Sequence, residues 1–291
     1  LIREKTVQDY NQKCQIHWWL SLSFYVKSFR TPWILANSDN TTAFAGLGYS
    51  VDSKVDSNGH IVLGCSHIYS SSGEGLKFKL ARISNDKIQW RHRKPHLCYD
   101  DAYEFGKNII ELFYESMNEL PKRVVIHKRT YFTEEEKQGI IDSISDNNKI
   151  ESIDLIEINF EDNIKYTSSK IVEGKACVDG FSVSRGSCIL LNSKEALLWA
   201  HGVVPSVRNP NFSFYPGGRY IPKPLRIIKH YGVGSLEQIA NEILGLTKMN
   251  WNSLNMYSQL PATICSSNDI ARIGKLIDSN SKHEYDYRYF I

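Results

Sequence analysis

Apolar positions along the chain alternate between short, nearly continuous runs and helical repeats. Residues 7–29 carry apolar positions at helical spacing, Trp18, Leu22, Tyr25 and Val26 among them, and Pro32 ends the pattern. Three apolar segments of strand length follow, at 43–51, 60–69 and 76–83. They are separated by turn clusters, Asp56-Ser57-Asn58-Gly59 and the stretch 70–75, which reads as an antiparallel meander. The spacing then predicts an amphipathic helix over 100–120 with Phe105, Ile109, Leu112 and Phe113 inward, stopped by Pro121. A short buried strand comes next, Arg123-Val124-Val125-Ile126-His127. Thr133 with Glu136 caps another helix carrying Ile140, Ile141 and Ile144, and 152–160 returns as a strand.

From 175 to 202 the pattern is antiparallel, with 187–191 and 196–201 flanking Asn192-Ser193-Lys194-Glu195; 207–222 is rich in loop residues. The last stretch is the most organised. Leu225 to Ile228 reads as a buried strand ending in Lys229-His230, and Gly232 and Gly234 break the chain. Ser235 with Gln238 forms a capping box for a helix that buries Ile239, Ile243 and Leu246. A polar turn, Thr247-Lys248-Met249-Asn250-Trp251-Asn252, leads through Leu260-Pro261-Ala262-Thr263-Ile264 to a final helix with Ile270, Ile273 and Ile277 inward. The order β-β-β-α-β-α is that of a ribonuclease-H-like α/β fold, a mixed sheet flanked by helices. No boundary shows within 41–291.

Composition narrows the chemistry. With 291 residues and 42% hydrophobic composition the chain can bury a full core. The formal net charge of +3 provides no global basic field, so any nucleic-acid site must be a local groove. The six cysteines lack metal-ligand spacing and read as reduced thiols, which suggests the cytoplasm. No apolar run approaches the roughly 20 residues that span a membrane. The chain begins mid-pattern at Leu1-Ile2 and reads as part of a longer protein. Gly217-Gly218 and Gly232-x-Gly234 are too short for a phosphate-binding glycine loop, Gly73-x-Gly75 lies between antiparallel strands, and no histidines form an HExxH motif.

The run KHYG, a capped helix ending in LTKMNWN, then LPATI and a helix, resembles the C-terminal part of the PIWI domain of Argonaute proteins. The similarity extends over most of the chain and is closest to the short prokaryotic Argonautes. FYVKSFRTPWIL is similar to the junction between the MID and PIWI domains. The resemblance therefore divides the chain into the end of MID (1–40) and PIWI (41–291). It puts Lys27 where the family commonly binds the guide's 5′ phosphate, with Lys5 a weaker candidate and Ser23 where another lysine is often found. The alternative for Lys27 is a solvated lysine favoured by the helix dipole.

Slicing Argonautes hold two divalent metals with a set of carboxylates, the last place being Asp or His. The resemblance puts Gly48, Arg129 (or Thr130) and Asn268 at three of these places, and the intervening glutamate has no clear match between Asp86 and Asp100. Asp52 lies roughly 13 Å further along an extended strand. Asp269 is rotated about 100° from its neighbour on a helix. The expectation is a nuclease-dead PIWI domain; the alternatives are an active guide-directed ribonuclease-H-like endonuclease whose acids lie elsewhere, or a protein-interaction module.

What remains is binding. Lys128, Arg129, Lys229, His230, Lys248 and Asn250 are expected to converge on the face that carries nucleic acid, each with solvated surface charge as the alternative. The aromatic C-terminal end is expected to dock, and the resemblance puts the Ile291 carboxylate near a Mg²⁺ ion at the guide's 5′ phosphate. It further implies a guide RNA (or DNA), a complementary target DNA, and an APAZ-containing effector partner, sirtuin-like or TIR, that degrades NAD in answer to plasmids or phage.

Overall fold

Strand β1 (Thr42–Val51) is the axis of the sheet, because it is antiparallel to β2 (His60–Tyr69) on one side and parallel to β6 (Arg123–Lys128) on the other. The computed structural model describes residues 13–36, 41–51, 60–70, 77–84, 89–91, 94–147, 149–167, 169–178, 183–204, 221–251, 257–274, 284–286 and 288. The meander continues into β3 (Lys77–Ser84), whose outer edge pairs with β13 (Glu284–Asp286). Beyond β6 come parallel β7 (Ser152–Phe160), then antiparallel β12 (Leu225–Tyr231), β11 (Glu195–Leu198) and β10 (Cys188–Leu190). The order is β10-β11-β12-β7-β6-β1-β2-β3-β13, nine strands. Two hairpins stand outside it, β4 (Gln89–Arg91) with β5 (Lys94–His96) and β8 (Ser169–Val172) with β9 (Lys175–Val178). The mixed, helix-flanked α/β sheet is as the sequence predicts; the two hairpins and β13 are additions to it.

Period-two alternation assigns each strand residue to one face. On one side Ala43, Ala45, Val124, Ile126, Ile153 and Leu155 pack under α2 (Tyr99–Met117) and α3 (Glu134–Ser145). On the other, Phe44, Val125, Ile156, Ile158 and Ile227 pack under α1 (Lys13–Lys27) and α4 (Leu236–Leu246), while α5 (Ala262–Gly274) lies over β1 and β2. The inward set expected for α2 is buried, and Asn118 in the left-handed region (φ 56°) ends that helix just before Pro121. Thr133 and Glu136 close a full capping box. At α4 only half the box forms: the Ser235 hydroxyl accepts from the Gln238 N–H, but the Gln238 side chain donates to Glu242 at 2.9 Å instead. Helix α1 buries Leu22 and Val26, whereas Trp18 and Tyr25 are exposed; it ends at Lys27, with Phe29 left-handed (φ 60°), ahead of Pro32. Ile270 is buried; Ile277 and the side chain of Ile273 lie outside the described residues.

Two close contacts fix how the layers meet. The first is between α5 and β1. A Cβ at Gly48 would lie 2.6 Å from the Ser267 carbonyl carbon and 2.8 Å from the Asn268 nitrogen, and Gly46 is pressed as tightly on Thr263. Helix backbone rests directly on strand backbone there, so both positions require glycine for want of space. The second is a buried ion pair. Lys128 Nζ donates to Glu136 Oε1 at 2.5 Å, with His96 Nδ1 and the Tyr131 carbonyl each 3.3 Å away. Burial pulls the Lys128 ammonium down, with the Glu136 charge working against it. Burial also pushes the Glu136 carboxyl up, but the His96 hydrogen bond, the Lys128 charge and hydrogen bond and the Thr133 N–H outweigh it and hold Glu136 at about 2.

Both contacts generate tests. Gly48→Ala should cost about 1–3 kcal/mol of unfolding free energy in urea, because α5 has to move off the strand; unchanged stability would mean that the helix seats loosely. Glu136→Gln strands a buried ammonium and should cost roughly 3–5 kcal/mol. The wild type should also lose stability in acid. Glu136 is depressed from 4.5, so its contribution is complete above that value and disappears as pH falls towards about 2. A Glu136→Gln variant with the same pH dependence below 4.5 as the wild type would refute the assignment.

Candidate nucleic-acid interface

The parallel register of β1 and β6 pairs Gly46 with His127 and Leu47 with Lys128, so Gly48 and Arg129 are the next positions along adjacent strands. Since α5 seats on Gly48 through Ser267 and Asn268, the sheet and helix bring Gly48, Arg129 and Asn268 to one place. His127 anchors this corner: its ring is fully buried, its Nδ1 is 2.8 Å from Thr263 Oγ1 on α5, and burial and the Arg123 charge lower it to about 3, keeping it neutral. The Arg129 guanidinium lies 5.3 Å over the Phe160 ring at the end of β7. Cys265, one turn before Asn268 on α5, is pushed up to about 11 by burial and by Asp269, against the opposing charge of Arg129.

The donor set at this corner does not suit divalent metals. Gly48 has no side chain and no room for one, Arg129 is a cation and Asn268 a neutral amide. Among the described residues no three His, Cys, Asp or Glu side chains gather closely enough to hold a metal ion. Asp52 lies outside the described residues, and Asp269 sits beside an exposed Arg272 at 3.6 Å.

The structure distributes the basic residues expected to converge over different places in the fold. Lys128 alternates to the opposite face from Arg129 and is wholly buried in its pair with Glu136, so it is unavailable to a phosphate. The sequence signal was there, since the Glu136 that closes the helix cap lies eight residues on, but the contribution of His96 from β5 is non-local. Lys229 and His230 are also separated from Arg129. Because β12 runs antiparallel to β6 and β7, its last residues approach the end of the sheet where those strands begin. There Lys229 Nζ donates to the Gly234 carbonyl at 2.8 Å, and Lys194, Lys229, Tyr231 and Ile153 line a cavity of about 450 Å³. His230 Nε2 meets Glu157 Oε2 at 2.7 Å. The glycines after β12 serve packing: a Cβ on Gly232 (φ 114°) would meet Asp154, which also accepts from Gly234 N–H at 2.9 Å and from Arg123 Nε at 2.7 Å.

Lys27 and Lys248 are exposed, and the elements that carry them are tied together. The Trp33 indole N–H, just beyond α1, donates to the Lys248 carbonyl at 2.9 Å, and its ring meets Trp251 edge-on at 6.5 Å. Asn250 is half-buried, its Nδ2 3.3 Å from Ser258 Oγ, so it braces the turn. Arg185, which sequence reasoning missed, locks the same turn by donating to Thr247 Oγ1 at 2.5 Å and to the Leu244 carbonyl at 3.1 Å. The C-terminal segment docks as expected where it is described: β13 joins the sheet edge and Arg288 lies 5.5 Å over the Phe29 ring at the end of α1. Lys5 and Ile291 lie outside the described residues.

No protein-family model matches the chain, and no curated protein matches it in sequence. Solved structures do. The Clostridium butyricum Argonaute, bound to a guide DNA and a 19-mer target DNA, superposes with a TM-score of 0.66 at 18% identity over 97% of this chain. Two structures of the Aquifex aeolicus Argonaute give TM-scores of 0.61 and 0.62 at 18% identity, over 97% and 99% of the chain. The chain spans about a third of the length of these proteins, 33%, 35% and 36% respectively. Among the described residues no helix is long and apolar enough to cross a membrane. Over nearly its whole length, the chain carries the PIWI fold of Argonaute proteins.

Proposed function

We propose that this chain is the PIWI domain, with the end of a MID domain, of a short prokaryotic Argonaute that holds a guide strand and recognises a complementary target without cutting it. The observation that carries the reading is the meeting of Gly48, Arg129 and Asn268, where a two-metal nuclease requires carboxylates. The fold likeness to Argonautes solved with guide and target DNA supports the choice of ligand. The guide is RNA, with DNA the alternative, and the target is complementary DNA. On this reading catalysis belongs to a partner, an APAZ-containing effector of sirtuin-like or TIR type that consumes NAD in response to plasmids or phage.

The guide's 5′ phosphate is assigned to Lys27 with Lys248 nearby, supported by the Trp33 bridge between their elements. Residues 13–36 contain no Asp or Glu. The Mg²⁺ ion that the Argonaute resemblance implies at that phosphate is assigned to the C-terminal carboxylate of Ile291, and the contact of Arg288 with Phe29 supports that route.

Two tests follow. A guide-loaded protein should leave a matched target intact in Mg²⁺ or Mn²⁺; metal-dependent cleavage that a single change at Asp52 or Asp269 abolishes would overturn the reading. Lys27→Ala, and separately removal of Phe290 and Ile291, should weaken 5′-phosphorylated guides by roughly 10- to 100-fold while sparing 5′-hydroxyl guides. Equal losses for both guide types would return these residues to structural support. Lys248→Ala should lower the salt slope of binding by about 0.7–0.9 for every sequence alike.

A further inference from the structure

The end of β6 carries polar atoms that the protein itself does not satisfy. Arg129 Nε and Thr130 Oγ1 are both buried without a hydrogen-bond partner, and Arg129 makes no ion pair among the described residues. Other half-buried arginines find partners within the protein: Arg123 pairs with Asp154 and Glu242, Arg226 with Glu161 and Glu195, and Arg185 donates to Thr247 and the Leu244 carbonyl. Arg129 is instead oriented by an uncharged surface, with its guanidinium over Phe160. Such a contact holds the plane of the side chain while leaving its hydrogen-bonding edges for an anion. The nearby His127 is held neutral by burial and so adds no competing charge. On the strand beside it, Gly48 removes the side chain that would have carried a negative charge.

We infer that the Arg129 guanidinium binds a backbone phosphate of the target strand at the corner where a slicing site would hold its metals. The inference rests on the guide-binding reading above and assigns this corner a new role within it. A guanidinium matches a phosphodiester through two parallel hydrogen bonds. It supplies the counter-charge of a cation but cannot activate water, because it neither coordinates a hydroxide nor gives up its own proton at ordinary pH. The corner therefore binds the strand without metal and leaves it whole.

The test uses guide-loaded protein in Mg²⁺ and target strands carrying a single uncharged methylphosphonate, scanned along the backbone. The wild type should lose roughly 10- to 100-fold at one position of the scan. Arg129→Gln, which keeps the polar stem over Phe160, should bind unmodified target more weakly by that factor and be indifferent to the methylphosphonate at that position. Arg129→Lys should recover part of the loss. Unchanged target affinity in Arg129→Gln, or equal sensitivity of both proteins at every position, would overturn the assignment while leaving guide binding standing. A wild type that retains no guide would overturn both.

Discussion

Helix α5 rests on β1 backbone to backbone at Gly46 and Gly48, and much else in the fold follows from that contact. With glycine at 46 and 48 the helix comes close enough for Thr263 to reach His127 on the next strand. That hydrogen bond holds the end of β6, and the end of β6 carries Arg129. The same contact excludes any side chain from the position beside Arg129. A carboxylate at Gly48 would need the helix to withdraw by about the width of a methyl group, and the core would lose density it cannot easily recover. Close packing of α5 on β1 and a carboxylate side chain at position 48 are thus alternatives at this corner, and the chain has the first.

Alternation decides what the charged residues at the strand end can do. Lys128 and Arg129 are neighbours in sequence but face opposite layers. The lysine enters the α2/α3 side, where Glu136, His96 and the rings of Tyr49 and Phe132 surround it. A buried ammonium is tolerable only with such a partner, and Glu136 serves twice, neutralising Lys128 and closing the cap of α3. The arginine enters the α5 side, where it finds an aromatic ring and no carboxylate. One residue of register separates a structural cation from one available to a ligand.

Much of the architecture was legible because its signals are local. Thr133 and Glu136, the inward stripe from Phe105 to Phe113, and the strand at 152–160 each announce themselves within a few residues. The meander followed from three apolar segments separated by turn clusters. What was not legible depends on distant pairing. Lys128 reads as a surface cation until His96, from a hairpin with only three residues in each strand, closes over it. Lys229-His230 and Lys128-Arg129 look equivalent as basic pairs at strand ends, but the antiparallel register of β12 sets Lys229 level with Ile156, and His230 turns to Glu157 and the Phe132 ring. The capping box at Ser235 failed for a related reason, because Glu242 competes for the Gln238 amide. For the candidate site, the resemblance names Gly48, Arg129 and Asn268, which the structure brings to one corner, while the lack of space at Gly48 carries no local signal.

If the corner binds strand and leaves it whole, the lifetime of the complex depends on base pairing rather than chemistry. Each base-pair step contributes about 1.4 kcal/mol on average, close to tenfold in an equilibrium constant. A target held by a few more matched steps therefore persists far longer, and one mismatch shortens its stay by a comparable factor. A slicing enzyme truncates that scale, since cutting competes with dissociation once the duplex is long enough. Without cutting, residence time continues to report the extent of the match. A partner that responds to the occupied state would then read pairing quality as the duration of a signal, with Arg129 adding the same phosphate contact to every sequence and so leaving discrimination to the bases.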